Sequence, residues 1–434
     1  MRDGHYGQPV RPRSPRLRRC TKPAACEVPG NIRLVPTLLG QHPSSLPRAF
    51  LSMRLLFVTQ DFPPDCGGVQ TYSWEMARRL ADRVAALEVL APSRPAATPV
   101  DRSAPFPVTR LSCHPAYLPF ALLPMLARRA RTQETDVALH AQWQTVGASV
   151  LSHTLTGYPR RVVCAAHGRE LLFNPMQGIP ALEAIYEQLR AFLLRQVDLF
   201  LPVSHYTASL LRDRGLSAAQ TPVVPNGTDP QHFRPHDASA LRRHLGLPDR
   251  RIALTVGRLV RRKGVDTVLR ALPAIAENCP DVAYVVVGTG PDQSRLERLA
   301  QRLGVDNRVQ FVGKVDHDRL PLYYSAADLF AMPAREDPPD VEGFGLVFLE
   351  ANACGTPVIG ARTGGIPDAV RHGETGLLVP PNAPAAFAEA ATRLLTAPAL
   401  ADTLGQQGRH YVAKTAHWDR IAHRVHALLA ASLS

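Results

Sequence analysis

From Met53 onward, short runs of almost unbroken apolar residues alternate with longer stretches whose apolar residues recur at helical spacing. No other feature of the chain constrains its fold as strongly. The short runs are RLLFVTQ, ALEVLAP, DVALHA, RRVVCAAHG and VDLFLPVS, and between them lie amphipathic segments such as QTYSWEMARRLADRV and PALEAIYEQLRAFLLRQ. A strand that is apolar on both sides belongs in a parallel sheet, because the crossovers that link parallel strands cover both of its faces with helices. A second series of this kind starts near residue 250 with RIALTVGRL, VAYVVVGTG, RVQFVGKV, ADLFAMPA, TPVIGA and TGLLVP. Between the two series, TPVVPNGTDPQHFRP (221–235) breaks the periodicity with prolines and Asn-Gly. The 434 residues suit two domains of ordinary size. The expected architecture is α/β, with two doubly wound, Rossmann-like domains at 53–225 and 226–412. The remaining 413–434 hold HWDRIAHRVHALLAASL, a strong helix whose return to the first domain the sequence leaves open.

The net charge of +13 raises the question of nucleic acid, and its location answers it. Residues 1–52 hold nine Lys/Arg against Asp3 and Glu27, a net of +7, which leaves +6 for the other 382 residues. No array of aromatic and basic residues suited to stacking bases accompanies that charge, so no nucleic-acid partner is expected. The Arg/Ser/Pro-rich stretch 1–52 reads as a disordered basic extension or a misassigned start, with MRLLFVTQDFPP at Met53 as a natural beginning. Cys20, Cys26, Cys66, Cys113, Cys164, Cys279 and Cys354 are scattered without Cys-x-x-Cys spacing. That pattern favours a reducing, cytoplasmic setting over a zinc site or a disulfide framework. No apolar run reaches the length of a membrane span.

Each domain opens with a glycine-bearing turn after its first strand, and open α/β sheets bind ligands outside the carboxyl ends of their strands. In TVGRLVRRKGVDTVL, Arg258 and Lys263 flank a turn closed by Gly264 at the start of a helix. Cations there suit a phosphate or diphosphate, while Arg261 and Arg262 read as a solvated loop. VVVGTGPDQ carries Gly288 and Gly290, but Gln293 stands where the dinucleotide fingerprint needs its third glycine. It reads instead as a turn that brings backbone near a ligand. In PDVEGFGLVFLEANACGTPV, Glu342 and Glu350 lie eight residues apart around Gly-Phe-Gly. A helix starting near Gly345 would aim its free N–H groups at a ligand. It would also set the two carboxylates about 10 Å apart along its axis, a span that fits a sugar at one and a ribose at the other. A carboxylate grips vicinal hydroxyls by accepting two donors.

These segments resemble the retaining GT-B glycosyltransferases known as glycosyl transferases group 1. The resemblance runs from about Met53 to the C-terminus through DFPPDCGGVQTY, HGRELL, VPNGTDPQHFRP, VGRLVRRKG, VVVGTGP, YYSAADLFAMPA, the Glu-x7-Glu pair and GGIPDAVRHGETGLLVPP. The form AMPAREDPPDVEGFGLVFLEA is similar to mannosyltransferases that extend phosphatidylinositol. The resemblance implies two domains facing across a cleft and transfer of a hexose from a nucleotide diphosphate sugar, GDP-mannose or a UDP-sugar, to a hydroxyl acceptor. It implies that Arg258 and Lys263 bind the donor diphosphate and that Glu350 holds the ribose. Glu342 would lie beside the transferred sugar, with the Phe344 and Gly345 backbone near its hydroxyls and Val315 meeting the base. Gly67 and Gly68 would form the loop that closes near phosphate and acceptor, with His167 near the donor sugar's outer hydroxyl and, like Glu170, on the acceptor side. The resemblance makes Glu342, His167, Lys263 and Arg258 the catalytic residues.

In KVDHD, Asp316 and Asp318 read as the capped start of a helix rather than a metal site. Cations and a helix dipole take the metal's role, so neither metal nor cofactor is expected. The rival readings are an epimerase or phosphorylase of similar architecture, transfer to a soluble sugar or small molecule, and a non-catalytic sugar-nucleotide-binding protein. YLPFALLPMLARRARTQ (117–133) joins Phe120, Leu122, Leu123, Met125 and Leu126 to Arg128, Arg129 and Arg131. That combination suits an anionic bilayer and an enzyme peripheral to the inner face of a membrane. Its rival is a helix with its apolar side turned onto the sheet.

Overall fold

The computed structural model describes residues 52–114, 117–337 and 339–434. The expected basic extension lies, but for Ser52, outside the described residues. Six parallel strands form the first sheet: β1 (Arg54–Val58), β2 (Ala86–Pro92), β3 (Val108–Leu111), β4 (Val137–His140), β5 (Arg161–Ala166) and β6 (Leu199–Pro202). Their order is β3-β2-β1-β4-β5-β6. The second sheet holds β7 (Arg251–Val256), β8 (Val282–Val287), β9 (Val309–Gly313), β10 (Leu329–Met332), β11 (Val358–Ala361) and β12 (Gly376–Val379), ordered β12-β11-β10-β7-β8-β9. Each is therefore the doubly wound order, with its first and fourth strands side by side. In such sheets the connections leave in opposite directions between those two strands and open a crevice above them. β1 and β4 flank one crevice, β7 and β10 the other.

Strand burial explains the composition: β4, β6, β8, β10, β11 and β12 are buried at every residue. β3, absent from the sequence reading, is a four-residue edge strand, half-buried throughout and lacking an apolar run. On one face of the first sheet, Leu55, Phe57 and Val89 pack with the helix Gly68–Ala81 and with Trp418, Ile421, Val425 and Leu429 of the final helix, Trp418–Leu433. That final helix thus belongs to the core of the first sheet. The opposite face carries the helices Leu123–Thr132, Val146–Thr156 and Pro180–Arg195. The linker joins the final helix at its entry, where Thr228 N donates to Ala416 O at 3.0 Å and Trp418 N to Thr228 O at 3.2 Å. Cys66, Cys113, Cys164, Cys279 and Cys354 are all free.

Two local expectations need correction. The stretch 117–133 forms two helices, Leu118–Ala121 and Leu123–Thr132, and Leu118, Leu122 and Leu126 turn inward onto Leu56, Val58 and Leu90. Leu123 and Met125 are partly buried against the same cluster, and Arg129 is ion-paired with Glu88. Phe120, Arg128 and Arg131 remain exposed, so the expected apolar-basic patch is much reduced. Asp316 does precede a helix, but its carboxylate caps nothing. A 3-10 turn at His317–Arg319 intervenes, closed by main chain alone (Arg319 N to Asp316 O, 2.9 Å), before the helix Leu320–Ala326.

Candidate active site at the carboxyl ends of the two sheets

The loops that leave β7 and β10 build the centre of the site. Lys263 ends a 3-10 turn, Arg261–Lys263, closed by Gly264 with φ of 73°. A Cβ on Gly264 would lie 2.0 Å from the Pro333 carbonyl oxygen, so glycine lets the β7 turn rest on the strand end of β10. Gly264→Ala is expected to cost about 2 kcal/mol or more through the clash and the left-handed backbone, read as a lower denaturant midpoint.

Contact between these loops brings Lys263 to Glu342, with Nζ 2.7 Å from Oε2. Arg262, expected in solvent, is instead four-fifths buried and donates to the same carboxylate oxygen. The second cation was hidden because only folding brings residue 342 beside residue 262. Burial alone would raise the Glu342 pKa, but Lys263 and Arg262 outweigh it and hold the carboxyl below its ordinary value. Burial pushes the Lys263 ammonium down while Glu342 opposes it. Two cations on one carboxylate leave an excess positive charge. Arg258 at the end of β7 adds another; it is exposed and has no side-chain ion pair among the described residues.

Glu350 lies in the second turn of the helix Leu346–Ala353, whose N-cap, Gly345, has φ of 96° and supplies no side-chain cap. Its carboxylate is buried and accepts from the Tyr324 hydroxyl at 2.6 Å. Burial raises the carboxyl to about 7, against the pull of that hydroxyl and of Lys263. Tyr324 was not singled out in the sequence, since a tyrosine in an amphipathic helix carries no such signal. Phe344 is buried in the core beside the helix start, and Val315, after β9, packs half-buried on the same cluster. At Gly288 and Gly290 the described residues show a close approach of backbone to backbone. Added Cβ atoms there would lie 2.0 Å from Gly257 O and 2.2 Å from Leu259 O, so this turn braces the cation loop.

The first domain reaches this centre from β1, β5 and β6. Gly68, at the start of its helix, faces the Leu346 side chain, 3.8 Å from where a Cβ would stand. Gly67 precedes it in extended backbone. The His167 carbonyl meets Gly343 so closely that a Cβ there would lie 1.7 Å from the oxygen. Across the same seam, Arg169 Nε pairs with Asp340 at 2.5 Å, and His205 Nδ1 with Asp368 at 2.5 Å. His167 is half-buried with its Nε2 shielded from solvent; desolvation lowers it to about 4, and that Nε2 has no hydrogen-bond partner. A neutral imidazole with one unsatisfied nitrogen suits a ligand hydroxyl. Glu170 is committed to this turn, accepting from His167 N at 2.5 Å and Gly168 N at 3.2 Å, so it positions His167. Asp61, missed in the sequence, lies close enough to His167 to influence its charge and is raised by burial.

Residues 237–411 match the family Glycosyl transferases group 1, and residues 66–232 match Glycosyltransferase Family 4. A GDP-mannose-dependent alpha-(1-6)-phosphatidylinositol monomannoside mannosyltransferase of Mycobacterium tuberculosis is 35% identical, over 85% of this chain and 96% of its own length. D-inositol 3-phosphate glycosyltransferase 2 of Catenulispora acidiphila is 31% identical, over 85% of this chain and 92% of its own. Among solved structures, Anabaena Alr3699/HepE in complex with UDP superposes with a TM-score of 0.73 at 23% identity, over 87% of this chain and all of that one. Sucrose-phosphate synthase from Thermosynechococcus elongatus gives a TM-score of 0.68 at 28% identity, over 86% of this chain and 98% of that one. Two facing doubly wound sheets with a cationic, glycine-lined seam define the GT-B class of glycosyltransferases. The chain belongs to the glycosyl transferases group 1 family, and is a hexosyltransferase.

Proposed function

We propose that the protein is a retaining mannosyltransferase that moves mannose from GDP-mannose to a hydroxyl of an inositol-type glycolipid. The observation that carries this reading is the shared carboxylate: Glu342 held by both Lys263 and Arg262, a centre with positive charge to spare. A sugar nucleotide brings a diphosphate that balances this excess. The donor and acceptor are those in the name of the mycobacterial relative.

Lys263, Arg262 and Arg258 receive the diphosphate, and the bare N-terminus of the helix Leu346–Ala353 adds its dipole. Glu350 accepts the two ribose hydroxyls. Glu342, with the Phe344 and Gly345 backbone, orients the sugar, and Val315 meets the base. Gly67 and Gly68 let the first domain close on the phosphates, and His167 Nε2 takes a sugar or acceptor hydroxyl. In the transfer step the acceptor oxygen bonds to the anomeric carbon as the bond from that carbon to the phosphate oxygen breaks. The nucleoside diphosphate leaves with the electron pair, and the acceptor proton ends on the departing phosphate. Retention requires attack from the face of departure. The cations stabilise the growing charge on the leaving group, so activity is expected to survive EDTA. Metal-rescuable loss would return Asp316 and Asp318 to consideration.

Glu350 also sets a pH dependence. With its carboxyl at about 7, it is mostly protonated at pH 6 and mostly ionised at pH 8, and only the ionised form accepts from both hydroxyls. Donor KM is expected to fall about fivefold to tenfold from pH 6 to pH 8. Glu350→Gln, neutral throughout, should flatten that profile and raise KM.

The deciding assay compares turnover of GDP-mannose, UDP-glucose, UDP-GlcNAc and UDP-galactose, each with a phosphatidylinositol glycolipid and with inositol phosphate. Preference for GDP-mannose with the lipid is expected. Turnover with inositol phosphate alone would favour the soluble-acceptor reading suggested by the Catenulispora relative.

A further inference from the structure

The helix Pro180–Arg195 keeps one side out of the core. Leu182, Ile185, Leu189 and Phe192 recur at spacings of three and four, so they form one stripe, and each is about half exposed or more. The neighbouring helix Val146–Thr156 packs against it through Gly147 and Leu193, and adds exposed Leu151 and Leu155. At its cleft end the stripe continues through Ile179, Met176 and Phe173, in the loop that leaves the His167–Glu170 turn. These nine side chains present on the order of 900 Å² of apolar surface, more than the largest patch of a typical soluble monomer.

Charge decides what covers it. The three helices beside the stripe, Leu118–Ala121, Leu123–Thr132 and Val146–Thr156, contain no Asp or Glu. They present exposed Arg128 and Arg131, and Arg195 stands exposed at the far end of the stripe. Of the two glutamates in Pro180–Arg195, Glu187 is engaged by Arg190 and Asn174, and Glu183 is half-buried. Packed flank to flank, a second copy would set the same basic margin against these arginines, with only Glu183, Glu187 and the exposed Glu134 to offset it. An anionic bilayer takes both the apolar stripe and its basic margin.

We propose that the flank formed by Pro180–Arg195 and Val146–Thr156 is a membrane-docking surface that lies on an anionic bilayer and leads a lipid acceptor's headgroup into the cleft past Phe173. This moves the docking surface from the stretch 117–133, whose leucines face the core, to a helix the sequence reading left as sheet cover. The headgroup path rests on the lipid-acceptor reading; the docking itself does not, and it is tested without donor or acceptor.

The test uses the full chain with Phe192→Trp and vesicles of phosphatidylcholine, alone or mixed with phosphatidylglycerol, including lipids brominated along their acyl chains. The tryptophan at 192 should shift to the blue and be quenched by bromine with the mixed vesicles, less so with phosphatidylcholine alone. Ile185→Glu with Leu189→Glu should weaken vesicle partitioning about 10²-fold, because two apolar side chains lose their burial. Their exposure in the free protein predicts an unchanged thermal midpoint, and turnover with a water-soluble acceptor should be kept. Arg128→Glu with Arg131→Glu should reduce only the anionic preference. Vesicle binding without quenching at 192 would assign binding to another region, such as the basic stretch 1–52, and overturn the proposal. So would absence of binding, whether the protein is a monomer or a dimer that Ile185→Glu and Leu189→Glu dissociate. Neither result would affect the donor-panel outcome, which stands or falls separately.

Discussion

Lys263→Ala is expected to lower kcat by about 10²-fold or more, and Glu342→Ala by a similar factor, in single-turnover assays with saturating donor. Each removes a group placed where charge or geometry is set in the transition state, and a lost electrostatic contact of that kind costs about 2.7–4 kcal/mol. For Lys263 the loss is of a largely shielded ammonium 2.7 Å from Glu342 and within electrostatic reach of Glu350. Arg262 would still hold Glu342, so the alanine variant should fold and bind donor, and the deficit should appear in kcat more than in KM. For Glu342 the reverse problem arises: two largely shielded cations, Arg262 and Lys263, lose their shared counter-ion. The free protein should be destabilised, and added nucleoside diphosphate should restore part of its thermal midpoint. Turnover like that of the parent protein in both variants would remove the assignment of this cluster to catalysis.

Trp418→Ala is expected to cost about 3–5 kcal/mol of stability, the range for truncating a large buried aromatic, seen as a lower denaturant midpoint. Trp418 opens the final helix and is 2% exposed in the core of the first sheet. Its ring meets Tyr72 edge-on at 6.2 Å, and Tyr72 meets His167 at 4.8 Å. Loss of the indole therefore relaxes the packing behind the acceptor-side histidine, and kcat should fall along with stability. Arg79 reinforces the attachment by reaching Asp229 in the linker and Asp419 in the final helix, each at 3.4 Å. An unchanged midpoint would mean that the helix adds little to the first domain.

The sheets were legible because burial on both faces writes itself into local composition: VAYVVVG and TPVIGA can hardly be anything but central parallel strands. The half-buried edge strand β3 has no such imprint. Glu342, Lys263 and Glu350 were singled out because glycines beside them marked turns at strand ends. Arg262 was read as solvent-facing and Tyr324 went unnoticed, because their importance lies in partners 80 and 26 residues away. Gly288 and Gly290 were visible as a close approach of backbone, but such an approach reads the same in the sequence whether the neighbour is a phosphate or Leu259. The leucines of 117–133 and those of Pro180–Arg195 show the same limit from the other side. Helical periodicity marks an apolar stripe but not the direction it faces.

The amino-acid sequence by itself determined two doubly wound sheets, the glycine turns at their carboxyl ends and the residue types that gather there. Those features depend on interactions within a few residues, on propensity, periodicity and the steric freedom of glycine. Only the tertiary structure decided which cations share Glu342, that the last helix serves the first sheet, and which apolar stripe is left at the surface. Each of those depends on the packing of segments distant in the chain, where distance and burial set the energy and no local pattern records the outcome.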